Sequence, residues 1–539
     1  MLTGREQRWR LAWGLTVLTG IFLFAGAAVV ALLSWDAGSM PSRFFTAYTW
    51  RILRFTLLQA LLSTLLSVVL AAPVAMALAR RPAFPGRLWI IRLMAVPMGL
   101  PVLIGALGLI GIWGRQGVVN LTLLKLGLEQ PVSIYGLSGI LLAHVFFNLP
   151  LAARLLLAAL ERLPPEYWLL SSSLGMRPSS VFRLIEWPAI RRVLPGVAGL
   201  VFMLCVTSFT LVLVLGGGPA ATTLEVAIYQ ALRFDFDPPR AIALAFLQIG
   251  ITVLILGCMT LAPGPGDSGV TGGRAIRRLD GQSSPTRVWD GLMIIISTLF
   301  LAMPLVSILV AGLKANLWGL LTSGAFLRAA WTSFAIAFPA AVLTILASLA
   351  AIGARQAIAE MRHPGRAMKT FSAMLGATSF LVLLVPPVVL GTGWFLILRP
   401  FGDVAPFAAF LVGLINMLMA LPFVMRVLAP AMESHRRQTA RLAASLGLSG
   451  MVRLWRIDLP VLARPILTAL SFATVLSLGD LGAVALFGSS ELTTLPWLVY
   501  SRLASYRNND ADGLALILGI ICLGLTMLGT AGQKVQRHD

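Results

Sequence analysis

Charge is what this sequence has least of. Asp, Glu, Lys and Arg together make up 12% of its 539 residues, about half the share of a soluble domain. Hydrophobic residues reach 58% and the mean hydropathy is +0.88. That balance excludes a soluble globular enzyme and makes the chain an integral membrane protein. Cysteine is scarce as well. Cys205, Cys258 and Cys522 each stand in an apolar run, with no CxxC or metal spacing, so they read as small buried hydrophobes. The four histidines form no i,i+3 or i,i+4 pair among themselves. These shortages leave no catalytic residue, no metal site and no cofactor to assign. Gly-Lys does not occur anywhere, so no GxxxxGK[ST] phosphate loop exists. If this chain drives transport with ATP, another polypeptide must bind the ATP.

What is present is apolar length and positive charge. A membrane helix needs about 20 apolar residues, and twelve runs qualify. They are Leu11–Leu33, Phe55–Leu78, Leu93–Trp113, Tyr135–Ala153, Val193–Leu215 and Ala241–Leu261, then Leu292–Leu313, Ala329–Ile352, Phe371–Leu398, Val404–Met425, Pro465–Phe487 and Leu514–Ala531. The first is too long for a signal peptide's apolar core and is expected to stay as an uncleaved span. Lys and Arg total 42 against 21 acids. With both termini in the cytoplasm, about 30 of the 42 fall on the inner side, as the positive-inside rule requires. The positives are spread over all seven inner segments, with no basic stripe interleaved with aromatics. They are topological anchors in a lipid bilayer, and no nucleic acid is expected as a partner.

The chain also repeats itself. SSSLGMRPSSVFRLIEWP at 171–188 is matched by AASLGLSGMVRLWRIDLP at 443–460, and NLP at 148–150 by ALP at 420–422. Arg154 matches Arg426 and Glu161 matches Glu433, all at an offset of 272. TTLEVAIYQAL at 222–232 matches TTLPWLVYSRL at 493–503, PVLIG at 101–105 matches PVVLG at 387–391, and PGR recurs at 85–87 and 364–366. The reading is an all-α transmembrane protein of two parallel six-helix repeats, residues 1–262 and 289–539. A Gly-, Ser-, Pro- and Arg-rich linker at 263–288 joins them. An even number of spans gives both halves the same orientation, with a pathway expected on the axis between them.

Each repeated loop falls on the inner side. Leu169–Leu174 and Arg441–Leu446 are expected to form short helices, and Gly175 and Gly447 to turn the chain where φ is positive. Phe182 and Ile185, or Trp455 and Ile457, supply exposed apolar residues before Pro188 and Pro460 lead back to the membrane. Such a surface calls for a protein partner. Glycine, nine residues, isoleucine, any residue, leucine and proline resembles the EAA loop of bacterial ABC importer permeases. Gly447, Ile457, Leu459 and Pro460 fit fully; Gly175, Ile185 and Pro188 fit with Trp187 in place of leucine. The resemblance implies the type I permease fold, two coupling helices and two copies of an ABC ATPase docking on them. The family's Glu would fall at Leu169 and Arg441, so that ion pair is missing in both halves.

YGLSGILLAHVFFNLPLAARLLLAALERLP at 135–164, LGGGPAATTLEVAIYQAL at 215–232, LSLGDLGAVALFG at 476–488 and SYRNNDADG at 505–513 narrow the resemblance further. They are similar to the fused permeases of thiamine and thiamine-pyrophosphate importers, which implies a periplasmic thiamine-binding protein as a further partner. Fused ferric-iron permeases are the near alternative, and an ion-coupled secondary transporter the alternative of another class. Asp480 is the candidate pathway acid, with Ser208 as its counterpart in the first repeat. A charged group in a span costs roughly 2.5–3.5 kcal/mol, so it faces a cavity or a partner. One carboxylate suits a thiazolium cation, and Tyr229 and Tyr500 could add cation–π contact; capping a helix near Gly479 and Gly482 is the other role open to Asp480. His144 and Asn148 form an i,i+4 polar pair suited to helix–helix bonding. Asp235, Asp237, Asp510 and Asp512 belong to outer loops that a binding protein would meet.

Overall fold

The computed structural model describes residues 4–34, 46–127, 129–261, 278, 283–445, 452, 454–488 and 492–530. Among these there is no β-strand. A chain this apolar has one inexpensive way to satisfy its backbone in lipid, which is to close every hydrogen bond within a helix. Among the described residues eleven helices are long and apolar enough to cross a membrane, and Pro387–Phe401 is a shorter apolar one.

The elements used below are α1 Gly4–Ser34, α2 Ala47–Arg80, α3 Val102–Trp113, α4 Leu137–Glu161, α5 Pro165–Ser173, α6 Trp187–Val206, α7 Leu224–Arg233 and α8 Pro238–Leu261. They continue with α9 Ser284–Leu313, α10 Gly324–Ala359, α11 Arg366–Leu384, α12 Pro387–Leu398, α13 Ala405–Ser445 and α14 Leu459–Leu478. The last are α15 Gly482–Phe487, α16 Leu495–Ala504 and α17 Asn508–Thr530.

Four of the expected spans are broken rather than continuous. The run from Leu93 stops at Met94, and α3 starts only after Pro101. The run from Phe371 stops at Leu384, before Pro386 and Pro387. Proline removes a donor and forces its predecessor out of the helical region, so these breaks are written in the sequence. The runs Val193–Leu215 and Pro465–Phe487 break without proline, at 207–209 and 479–481.

The chain packs as two compact units. One holds Arg43–Ala227 and Phe246–Ala315; the other holds Met1–Ser42, Ile228–Ala245 and Asn316–Asp539. Each takes the first helix of the opposite sequence half. In the former, α9 lies on α2 and α3; in the latter, α1 lies on α10 and α12. Glycine permits both approaches. A Cβ on Gly108 of α3 would stand 2.5 Å from the Pro304 carbonyl oxygen of α9, and one on Gly393 of α12 would collide with the Ala28 carbonyl oxygen of α1. Trp394 Nε1 also donates to the Phe24 carbonyl at 3.1 Å. Because the obstacle is backbone, Gly393→Val must push α1 away. We expect a loss of about 1–3 kcal/mol, read as earlier thermal unfolding of the detergent-purified protein.

One bond recurs in both units. The Leu224 amide donates to Thr56 Oγ1 at 3.1 Å, and the Leu495 amide donates to Ser333 Oγ at 2.7 Å. A hydroxyl on the second helix of each repeat thus fixes the start of α7 or α16. The TTL segments are therefore alike in structure as well as in sequence.

Candidate functional site

The first repeated loop begins where Pro164 and Pro165 part α5 from α4. Helix α5 ends in a Schellman turn: the Met176 amide donates to the Ser171 carbonyl at 3.0 Å and the Gly175 amide to the Ser172 carbonyl at 3.1 Å. Gly175 has φ +59°, a conformation that a side chain would strain. The chain then forms a short helix, Pro178–Val181, and a π-helical turn, Phe182–Glu186, that leads directly into α6. Leu169 is 60% and Leu174 67% exposed; Tyr167, Leu170, Phe182, Leu184 and Trp187 are also exposed, while Ile185 and Pro188 are half-buried. Seven apolar side chains are thus presented outward from one loop.

The second loop keeps part of that plan. A π-helical turn again precedes the proline, at Leu454–Asp458, 272 residues after the first. Trp455 is 64% exposed, Pro460 is exposed and Ile457 half-buried. Gly447 lies outside the described residues, as does the side chain of Arg441, whose backbone is helical. The separate short helix expected from Arg441 does not form. Helix α13 instead runs unbroken to Ser445, because Arg436 and Arg437 occupy the positions that Pro164 and Pro165 hold in the first copy.

Beneath the first loop lies a buried ionic cluster. Glu186, 1% exposed at its side chain, accepts from Arg80 Nη2 at 3.2 Å on one oxygen and from Arg278 Nη2 at 2.7 Å on the other. Arg80 Nη1 also reaches Asp290 at 3.1 Å, and Arg81 Nε reaches the second oxygen of Asp290 at 3.1 Å. The guanidinium of Arg278 stacks on Trp168 of α5, 3.6 Å from the ring centroid. Around the second loop the contacts among the described residues are smaller. Asp458, the counterpart of Glu186, meets His435 Nε2 at 2.7 Å, and Arg436 Nε meets Glu360 at 3.2 Å. Sequence reasoning passed over Glu186 and Asp458 as the free position of the motif. Their shared acidity was the available signal.

The candidate pathway residues occupy matched joints. Ser208 lies in the 207–209 break after α6, and Asp480 in the 479–481 break between α14 and α15. Asp480 Oδ1 accepts from the Gly482 amide at 3.0 Å, while Oδ2 is buried with no hydrogen-bond partner among the described residues. The carboxylate therefore caps α15 with one oxygen and leaves the other unspent. Tyr229 is 2% exposed, packs edge-on against Phe234 and has Tyr500 and Arg233 as electrostatic neighbours. Tyr500 packs on Trp497. Arg233 Nη2 donates to the Gly488 carbonyl at 2.5 Å, which ties the end of α7 to the chain just after α15.

His144 and Asn148 do not bond to each other. His144 Nδ1 pairs with Ser63 Oγ at 2.8 Å and Asn148 Nδ2 donates to Cys205 Sγ at 3.4 Å, so both join helices. In the second repeat Asn416, at the position of His144, donates to Ser477 Oγ at 2.8 Å. Three of the four acids expected in outer loops are engaged locally: Asp235 pairs with Arg240, Asp237 accepts from the Arg240 amide, and Asp510 lies 3.9 Å from Arg502. A further acid escaped the sequence reading. Glu225, near the start of α7, is 1% exposed, and its Oε1 has no hydrogen-bond partner among the described residues. Its place in TTLEVAIY, between apolar neighbours, was the signal.

The profile of the family described as binding-protein-dependent transport system inner membrane component matches twice, at residues 71–262 and 357–537. The chain is 46% identical over 506 residues to the thiamine transport system permease protein ThiP of Brucella abortus, covering 94% of this chain and 92% of that protein. It is 41% identical over 515 residues to ThiP of Escherichia coli K12, covering 94% of each. ThiP of Haemophilus influenzae is 35% identical over 515 residues, covering 95% of this chain and 94% of that protein.

Proposed function

This chain belongs to the family of binding-protein-dependent transport system inner membrane components, and from that premise we propose that it is the membrane subunit of an ABC importer for thiamine. The likeness to thiamine permeases along 94% of its length is the observation that carries the substrate. Two copies of an ABC ATPase drive it from the cytoplasm, where both termini lie. A periplasmic thiamine-binding protein delivers the substrate from the other side. Thiamine pyrophosphate is carried by the same route.

The residues supply the following mechanism. Leu169, Gly175, Phe182, Ile185 and Pro188 form the first coupling loop; Arg441, Gly447, Trp455, Ile457 and Pro460 form the second. Apolar side chains rather than a glutamate make the docking contact, since Leu169 is exposed where the ion-pairing acid would stand. ATP binding draws the two ATPase subunits together and moves the loops. The broken helices transmit that movement: joints at Ser208 and Asp480 let the outer segments tilt independently of α6 and α14. The Asp480 oxygen that has no hydrogen-bond partner among the described residues offers a negative charge to the thiazolium, and Tyr229 and Tyr500 offer aromatic faces. The chain forms no covalent intermediate and hydrolyses nothing itself.

Vesicles reconstituted with the chain, its ATPase and its binding protein should accumulate labelled thiamine when supplied with ATP, and should not accumulate ferric iron. Iron uptake without thiamine uptake would overturn the substrate. In the same vesicles Asp480→Asn should lower thiamine uptake by about tenfold, one charge–cation contact of about 1.4 kcal/mol, with the ATPase still bound. Unchanged uptake would leave Asp480 as a helix cap alone.

A further inference from the structure

We propose that Arg278, in the segment that joins the two repeats, is a latch holding the first coupling helix, α5, to the start of α6. The inference rests on the docking role proposed above for the first loop. Arg278 is buried, with 3% of its side chain exposed, although it comes from a polar, Gly- and Ser-rich stretch that has no apolar period. Its guanidinium stacks on Trp168, a side chain of α5 that faces inward and is 7% exposed. The same guanidinium donates to Glu186, which ends the π-helical turn and stands at the N-terminus of α6. Glu186 in turn holds Arg80 of α2, and Arg80 holds Asp290 of α9. One side chain therefore connects α5 to three helices of its unit.

A hold of this kind is needed in the first repeat and not in the second. Pro164 and Pro165 cut α5 from α4, so nothing helical carries a push on α5 back into the membrane. Helix α13 is uncut and runs into the second loop. The second repeat also lacks the aromatic platform, having Ala440 at the position of Trp168. The latch occurs where helical continuity is missing. A buried, desolvated Arg–aromatic stack that shares its cation with a carboxylate is a stiff connection. With it in place, α5 moves with α6; without it, α5 swings on the proline hinge and ATP is spent with little transport.

The test uses the full complex in vesicles and reads ATP hydrolysed per thiamine accumulated, together with ATPase retained on purification. Arg278→Gln and Trp168→Leu should each keep the ATPase bound and raise that ratio at least fivefold. The double variant should be no worse than either single one, because both remove the same connection. Arg278→Lys, which keeps the charge but stacks less well, should fall between. An unchanged ratio in either single variant overturns the latch. So does a fall in assembled complex with a normal ratio per complex, which is the behaviour of an ordinary structural pair. Leu170→Asp, on the exposed side of α5, separates the two readings. If it leaves ATPase binding intact the docking reading fails; if it releases the ATPase while Arg278→Gln stays coupled, the latch alone fails.

Discussion

Glu186→Leu is expected to cost the folded protein about 3–5 kcal/mol, the range for removing one partner of a buried ion pair, and to leave little of it assembled. Glu186 and Asp290 are both 1% exposed at their side chains and face Arg80, Arg81 and Arg278. Among the described residues three cations meet two anions there. Removing Glu186 takes a buried carboxylate away from Arg80 and Arg278, which are 12% and 3% exposed. Water cannot readily replace the lost oxygens, and an arginine does not escape by losing its proton. The expected reading is a loss of monodisperse protein on size exclusion and a much lower unfolding temperature in detergent. Glu186→Gln keeps the shape and one acceptor oxygen and should cost less. Asp458→Leu at the matching position should also cost less, since Asp458 is 14% exposed and a histidine is among its partners. Equal losses at 186 and 458 would mean that the π-helical turn, not the charge cluster, sets the stability.

The contrast between those two positions shows what the sequence carried openly and what it did not. Apolar length and Lys/Arg distribution disclosed the membrane class, and polar matches at one offset disclosed the two repeats. Such signals are local or periodic, and they survive in a bare string of residues. The proline breaks at Pro101 and Pro386 were equally visible, yet an apolar window averages across them and reports one span. The breaks at Ser208 and Asp480 carry no proline, so only packing reveals them. The pairing of Arg80, Arg81, Asp290 and Arg278 around Glu186 spans segments up to 210 residues apart, and no period or motif links them. Nor could a pattern foretell that α5 would be cut free while α13 continued, unless Pro164-Pro165 had been set against Arg436-Arg437. The exchange of first helices between the units is likewise a property of packing, seen at Gly108 and Gly393.

The exposed side of α5 leads to the other large expected effect. Leu170→Asp should weaken retention of the ATPase at least tenfold and stop thiamine uptake, while the subunit itself folds and inserts normally. Leu169 and Leu170 are 60% and 57% exposed, so neither contributes much to the isolated subunit, and a surface change of this kind moves stability by about 0.5 kcal/mol or less. In the docked state each would bury its apolar surface, worth about 1.5–3 kcal/mol. A carboxylate in that place forfeits this and must itself be desolvated. Each 1.4 kcal/mol is a factor of ten in affinity, which sets the tenfold floor. Trp455→Asp should act likewise through the second loop, where a 64% exposed tryptophan is the largest side chain on offer. Co-purification of the ATPase with each variant, set beside its folded fraction, measures the effect. If both variants retain the ATPase at wild-type levels, the apolar side chains do not make the contact. The basic residues of the two loops, Arg177 and Arg183 in the first and Arg441, Arg453 and Arg456 in the second, would then have to carry it against an acidic groove, and binding would fall with rising salt. That salt dependence is the outcome the apolar docking surface does not predict.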